Sequence, residues 1–350
     1  MNLYKAIFKP ILFKLDAEFV HDCATHIGGF LGQSDILLGI ISKNFRYDSP
    51  KLSKTVLGVD FKNPVGIAAG FDYNGKMANV FESFGFGFNT IGTVTAKPYE
   101  GNPKPRLKRL PKSQALLVNK GFKSLGADMV EKILDSQTYS GKTLGLSVGS
   151  SNLPEVNTID LAIEDYVYTF LKFKNKDYIK YFELNISCPN TSMLESFTDL
   201  TNYTNLLKRV KDLNIEKPIF VKMPNELDIE KTSELVKISL TYNIKGFIFS
   251  NLVKDRTNPL IDKQEMQSIQ SVKGNISGKP TEPNSTKLIA EIRKRFGSEI
   301  SIIGCGGIFT PEDAKNKLDA GADLVQLITG MIYEGPIIAK KICASIEHND

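Results

Sequence analysis

Eight short apolar runs, each ending in small or polar residues, divide most of this chain. They are PVGIAAG (64–70), NTIGTVT (89–95), GLSVGS (145–150), YFELNIS (181–187), PIFVKMP (218–224), GFIFSN (246–251), SIIGCGG (301–307) and DLVQLIT (323–329). Most are near-continuously apolar, the pattern of strands buried on both faces of a parallel sheet. Amphipathic segments such as TNYTNLLKRVKDL and PEDAKNKLDAGA separate most of them. Thr310, Pro311, Glu312 and Asp313 have the form of a helix start with proline just inside. Repeated strand–helix units of this kind predict an α/β fold, a (β/α)8 TIM barrel. A doubly wound open sheet is the alternative, and no GxGxxG follows an early strand to support it. The long inserts, 96–144 and 252–300, are expected at the C-terminal ends of strands, where barrels carry lids and substrate contacts.

With 350 residues, 41% hydrophobic and 24% charged, the chain can build a large core and is not globally disordered. Its 44 basic and 39 acidic residues are too balanced, and too scattered, for a nucleic-acid partner. Four widely spread cysteines without a CxxC pair argue for a reduced compartment. The three histidines, His21, His26 and His348, lie at the chain ends, which excludes a His-based triad in the body. His21, Cys23 and His26 match no zinc spacing and read as incidental polar residues of an amphipathic helix. No stretch reaches the roughly 18 to 20 apolar residues of a membrane-spanning helix. The opening MNLYKAIFKPILFKL carries Lys5, Lys9 and Lys14, no acid, and many bulky apolar residues. An apolar patch, 27–41, follows. Two readings stand on these residues: a helix lying on a membrane surface, or one packed on its own domain.

In a barrel the strand C-termini carry the chemistry. Those ends offer amides, hydroxyls, glycines and one lysine, with no carboxylate cluster for a metal and no carboxylate pair for glycosidase work. Gly304, Gly306 and Gly307, with Thr329-Gly330 one strand later, fit either a phosphate cradle or ordinary turns. Lys222 lies inside a strand run, where an ammonium needs an anionic or polar partner unless it snorkels out at the strand end. Asn119, Asn185, Asn190 and Asn251 could hold a planar, amide-like heterocycle, since each side chain both donates and accepts. Cys188, after a strand and before proline, is a nucleophile, a base or a buried filler. No histidine in the barrel can activate it as in thiol proteases, so a base with a thiol pKa near about 8.5 is the reading adopted.

These stretches together resemble the dihydroorotate dehydrogenases, FMN-containing barrel enzymes of pyrimidine synthesis, and most of all their membrane-associated, quinone-using class. The resemblance runs over essentially the whole chain. It rests on FKNPVGIAAGFD, FGFGFNTIGTVTAKPYEGNPKPRLKRL, NISCPNT, GADLVQ and GMIYEGP. It implies an N-terminal helical membrane and quinone module over 1–45 and an FMN-binding barrel over 46–350. By position, it implies FMN contacts at Ala69, Gly70, Tyr73, Thr93, Ser147, Asn185, Lys222 and Ser250, with the phosphate at Gly278, Gly307, Ile328 and Thr329. Substrate contacts are implied at Asn119, Gly121, Phe122, Asn185, Asn190, Asn251 and Leu252, a quinone-pocket residue at Arg109, and the catalytic base at Cys188. The thiol would take the proton from substrate C5 while flavin N5 takes hydride from C6.

The expected partners are dihydroorotate and orotate, a quinone and a membrane surface, with no nucleic acid and no metal. The expected location is peripheral, on the cytoplasmic face of the inner membrane if the source is bacterial. Removing residues 1–45 is expected to weaken quinone turnover while dihydroorotate still reduces the flavin. The chain departs from the family pattern at several positions. Cys188 stands where the quinone-using class has serine, Tyr73 where a lysine is usual, Ser147 for an asparagine, Leu252 for a threonine and Ile328 for a tyrosine. They motivate the alternative: a related FMN barrel oxidoreductase for another pyrimidine or an enoyl substrate, or one with a soluble acceptor such as fumarate.

Overall fold

A computed structural model of the chain describes residues 3–139, 141–186 and 197–349. Eight parallel strands close into a barrel: β1 (Val65–Ile67), β2 (Phe88–Val94), β3 (Leu144–Val148), β4 (Ile179–Asn185), β5 (Ile219–Met223), β6 (Gly246–Phe249), β7 (Ser301–Cys305) and β8 (Leu324–Leu327). They pair in chain order, and β8 pairs with β1 to complete the ring. Every apolar run becomes a strand, and closure disposes of the open-sheet alternative.

Before the barrel come two short helical turns, Tyr4–Phe8 and Lys9–Leu12, and two longer helices, α1 (Ala17–Leu31) and α2 (Asp35–Phe45). Around it lie α3 (Ala127–Asp135), α4 (Ile159–Phe173), α5 (Leu200–Asp212), α6 (Ile229–Thr241), α7 (Glu282–Phe296) and α8 (Pro311–Asp319), and α9 (Ile338–Asn349) ends the chain. The start of α8 is a capping box: Thr310 Oγ1 accepts from Asp313 N–H at 3.1 Å and the Asp313 carboxylate accepts from Thr310 N–H at 3.0 Å. One strand–helix unit departs from expectation. The β1–β2 crossover contains turns and a 3₁₀ helix, Glu82–Phe84, but no α-helix. Here α1 packs on the crossover through glycines: a Cβ on Gly32 would come within 3.3 Å of Asn79 Cβ, and one on Gly29 within 3.3 Å of Lys76 O.

The barrel interior is filled by pairing glycine with aromatic rings. A Cβ on Gly66 would stand 2.3 Å from Phe88, one on Gly145 2.2 Å from Tyr181, and one on Gly246 2.6 Å from Phe220. Those rings join Phe61, from the hairpin Lys54–Val56 and Val59–Phe61, in one buried cluster. Above them the Glu183 carboxylate accepts from Thr90 Oγ1 and Gln326 Nε2, each at 2.6 Å, which offsets part of its burial cost. The two long inserts meet in a three-stranded antiparallel sheet of Leu107–Leu110, Ala115–Val118 and Asn275–Gly278. Its last residues, Ser277 and Gly278, border the cavity at the strand ends.

Candidate active site

Strands β5 to β8 deliver their C-terminal residues to one cavity. Ala69, Lys222, Ser250, Asn251, Leu252, Gly278, Gly307, Ile328 and Thr329 all line it, as the sequence expects. The side chain of Lys222 is largely buried, and among the described residues its ammonium has no hydrogen-bond or ion-pair partner. A buried cation in that condition is a binding group for an electron-rich ligand atom. Gly306 and Gly307 have φ of 116° and 71°, where an L side chain is strained. A Cβ on either would also come 2.4 Å from Thr281 Oγ1 or 2.2 Å from Glu282 Cβ, so glycine is required here. Among the described residues, the Gly306 and Gly307 N–H groups have no backbone acceptor. Backbone, glycine and an adjoining α7 start make this corner suited to a phosphate.

Beside the cavity the strand ends carry a connected amide and hydroxyl network. Asn185 Nδ2 donates to Thr93 Oγ1 at 3.0 Å, Thr93 and Ser147 hydroxyls lie 2.9 Å apart, and Asn251 Nδ2 reaches Asn185 Oδ1 at 3.5 Å. Asn185 and Lys222 are register partners on β4 and β5, so amide and ammonium stand side by side. The Phe122 ring lies over this end of the barrel, since a Cβ on Gly149 would come within 2.9 Å of Phe122 and 2.6 Å of Thr93. Asn119 lies in the adjoining loop, its Oδ1 accepting from Asn102 Nδ2 at 2.9 Å, and Gly121 with φ of 65° turns the chain there. Gly70 joins β1 to β2 through its N–H to Gly92 O at 2.8 Å. Cys188 and Asn190 lie outside the described residues.

Arg109 and Tyr73 belong to a different wall. Arg109 lines an apolar cleft of about 320 Å³ between the N-terminal helices and the barrel, with Tyr4, Leu12, Val20, His21, Leu116 and Ile332. Its guanidinium donates to Leu15 O at 2.7 Å and lies 4.9 Å over the Phe13 ring. The turn from Ile328 to Ile332 contributes to both sites: Ile328 and Thr329 face the strand-end cavity, Met331 and Ile332 the apolar cleft. Tyr73 packs its ring 5.2 Å from that of His21, with Lys120 Nζ 5.6 Å from its centroid.

His21 is not the incidental residue that the sequence indicates. Its Nε2 lies 2.7 Å from Phe71 O, so Nε2 carries the proton and donates. Burial pushes its pKa down, which keeps the ring neutral. Its Nδ1 is buried without a hydrogen-bond partner among the described residues. Glu18 and Lys120 also escape sequence reasoning, because the contacts that bury them join residues about one hundred positions apart.

A closed parallel barrel with a buried strand lysine, amide-lined strand ends and a glycine cradle after its seventh strand defines a class: barrels that hold a phosphate-bearing ligand at their C-terminal face. The particular family follows from comparison. The dihydroorotate dehydrogenase family profile matches residues 51–349. A protein of Nostoc sp. named dihydroorotate dehydrogenase (quinone) is 36% identical, over 99% of this chain and 94% of its own length. One of Christiangramia forsetii with the same name is 35% identical over 97% of each. The crystal structure of the Eimeria tenella DHODH in complex with ferulenol superposes with a TM-score of 0.79 at 27% identity, over 95% of this chain and 91% of that one. The chain belongs to the dihydroorotate dehydrogenase family.

Proposed function

We propose that this protein oxidises (S)-dihydroorotate to orotate with bound FMN and passes the electrons to a quinone. The observation that carries the reading is the largely buried ammonium of Lys222, without a partner among the described residues, beside the Asn185–Thr93–Ser147 network at the mouth of a glycine cradle. The residues present fit FMN: Gly306, Gly307, Gly278 and Thr329 would hold its phosphate, and Lys222, Ser250, Thr93 and Asn185 its ring system. When bound, FMN supplies the two-electron acceptor for the substrate's C6–H bond. Asn119, Asn185, Asn190 and Asn251 orient the pyrimidine by donor–acceptor pairs without adding charge. Cys188 takes the C5 proton as base, and Phe122 covers the ring and excludes water.

The apolar cleft supports a quinone over a soluble acceptor such as fumarate. Its walls are almost wholly hydrocarbon, with the Arg109 guanidinium as the donor for a quinone's carbonyl oxygen. The surface beside it supports a membrane. Leu3, Ile7, Phe8, Ile11, Phe19 and Phe30 are each exposed by 48% or more, and Lys5, Lys9 and Lys14 lie among them. Among the described residues no helix is long and apolar enough to cross a membrane. Residues 1–45 are accordingly read as the membrane- and quinone-facing module of a peripheral enzyme and 46–350 as its flavin barrel, on the cytoplasmic face of the inner membrane if the source is bacterial.

The test is an anaerobic titration of the purified protein with L-dihydroorotate while flavin absorbance is followed. Bleaching at stoichiometric substrate carries the reading. A yellow protein that dihydroorotate leaves oxidised would mean that Tyr73, Ser147 and Leu252 mark another substrate.

A further inference from the structure

Helix α1 contributes a buried acid to the barrel. Glu18, 4% exposed, accepts from Arg106 Nε at 2.6 Å and from Lys120 Nζ at 2.8 Å, and Lys123 Nζ lies 3.8 Å away. Burial alone would raise its pKa, but the hydrogen bonds and charges of Lys120 and Arg106 outweigh that and hold the carboxyl at about 2. One carboxylate thus faces three cations. Without it three positive charges would stand together, mostly buried, with no other ion-pairing acid among the described residues.

The cations belong to the loop that carries the substrate residues. Arg106 Nη1 donates to Glu100 O and to Asn102 O, which fixes the corner at Asn102. From that corner Asn102 Nδ2 donates to Asn119 Oδ1 at 2.9 Å and Asn102 N–H to Lys120 O at 3.2 Å. The corner also abuts Gly121, where a Cβ would come 2.5 Å from Asn102 Oδ1. We infer that Glu18 is a positioning residue for the substrate: through Arg106, Lys120 and Lys123 it holds the Asn102–Asn119–Gly121 corner in its binding geometry. The N-terminal segment thereby sets the affinity for the pyrimidine as well as forming the apolar cleft. The inference rests on the functional reading above, which places Asn119, Gly121 and Phe122 against the substrate.

The test uses the full-length holoenzyme. Anaerobic stopped-flow reduction by L-dihydroorotate gives a substrate Kd and a limiting reduction rate, and steady-state turnover gives the quinone KM. Glu18→Gln keeps the size and removes the charge. It is expected to raise the dihydroorotate Kd at least ten-fold, lower the limiting rate far less, and leave the quinone KM within two-fold. Glu18→Asp keeps the charge with a shorter reach and should restore part of the affinity. Should Glu18→Gln fail to retain FMN, Glu18→Asp decides alone: a Kd raised three-fold or more carries the inference, and a wild-type Kd overturns it. A Glu18→Gln Kd within two-fold of wild type, or a loss confined to the quinone KM, also overturns it. Absence of flavin reduction in the wild type would remove the functional reading itself, and this inference with it. A truncation at residue 45 deletes Glu18 too, so it should weaken dihydroorotate binding and not quinone turnover alone.

Discussion

Lys317 offers a quantitative test of the packing behind the Gly306–Gly307 turn. It lies on α8 with its side chain fully buried, and its Nζ donates to Ser285 Oγ at 2.9 Å and Thr286 Oγ1 at 3.0 Å. The single Ser285 hydroxyl proton lies within reach of both Phe249 O at 3.0 Å and Cys305 O at 2.9 Å, so this contact ties together the ends of β6 and β7. Among the described residues no carboxylate comes within ion-pair distance, and burial pushes the Lys317 pKa down to about 8 from the ordinary 10.5. That gap corresponds to roughly 3 kcal/mol, at about 1.4 kcal/mol per pH unit. Below pH 8 both folded and unfolded chains carry the proton, and the folded state bears the full cost of the buried charge. Between pH 8 and 10.5 the unfolded chain holds a proton that the folded chain has released, so stability rises with pH. Above 10.5 nothing further is gained.

Lys317→Met removes the charge at similar length, and loses hydrogen bonds worth about 1 kcal/mol each. The variant should therefore be about 1 to 2 kcal/mol more stable than wild type at pH 7, and the difference should fall steadily from pH 8 to 10.5. Urea unfolding of both proteins, followed by circular dichroism across pH 7 to 10.5, measures that difference with all other titrating groups in common. A difference that stays constant over this range would mean that the buried Lys317 ammonium does not titrate in the folded protein between pH 8 and 10.5.

Three further outcomes are expected. Lys222→Met should lower FMN affinity by ten-fold or more while making the apoprotein more stable than wild-type apoprotein, because the largely buried ammonium has no partner among the described residues; flavin titration and thermal melts report the two signs. Gly330→Ala should cost roughly 1 to 3 kcal/mol or more and release FMN on gel filtration, since a Cβ there would stand 1.8 Å from the backbone oxygen of Ile308. Cys188→Ala should keep FMN bound yet slow its reduction by dihydroorotate by orders of magnitude in stopped-flow, and a near-normal rate would assign the base to another group.

The barrel was legible because its cause is local. A strand buried on both faces must be apolar along its length, so each of the eight runs carries its own signature, and its polar end marks the C-terminal face. Lys222 was legible for the same reason, as a charge within a run that had no place for one. The residues that join separated segments left no such trace. Ala115–Val118 pairs with Asn275–Gly278, and Glu18 meets Arg106, across separations that periodicity does not record. His21 reads as incidental on its helix and becomes buried only because α1 lies against Phe71 and Tyr73. The sequence alone was enough for the barrel, the residue types at its strand ends and the family. Tertiary packing alone put Arg109 and His21 in one apolar cleft and set Glu18 of α1 against Arg106 and Lys120 of the first insert. Those relations depend on which buried charges meet when the segments pack, and a buried charge is stable only where its partner arrives.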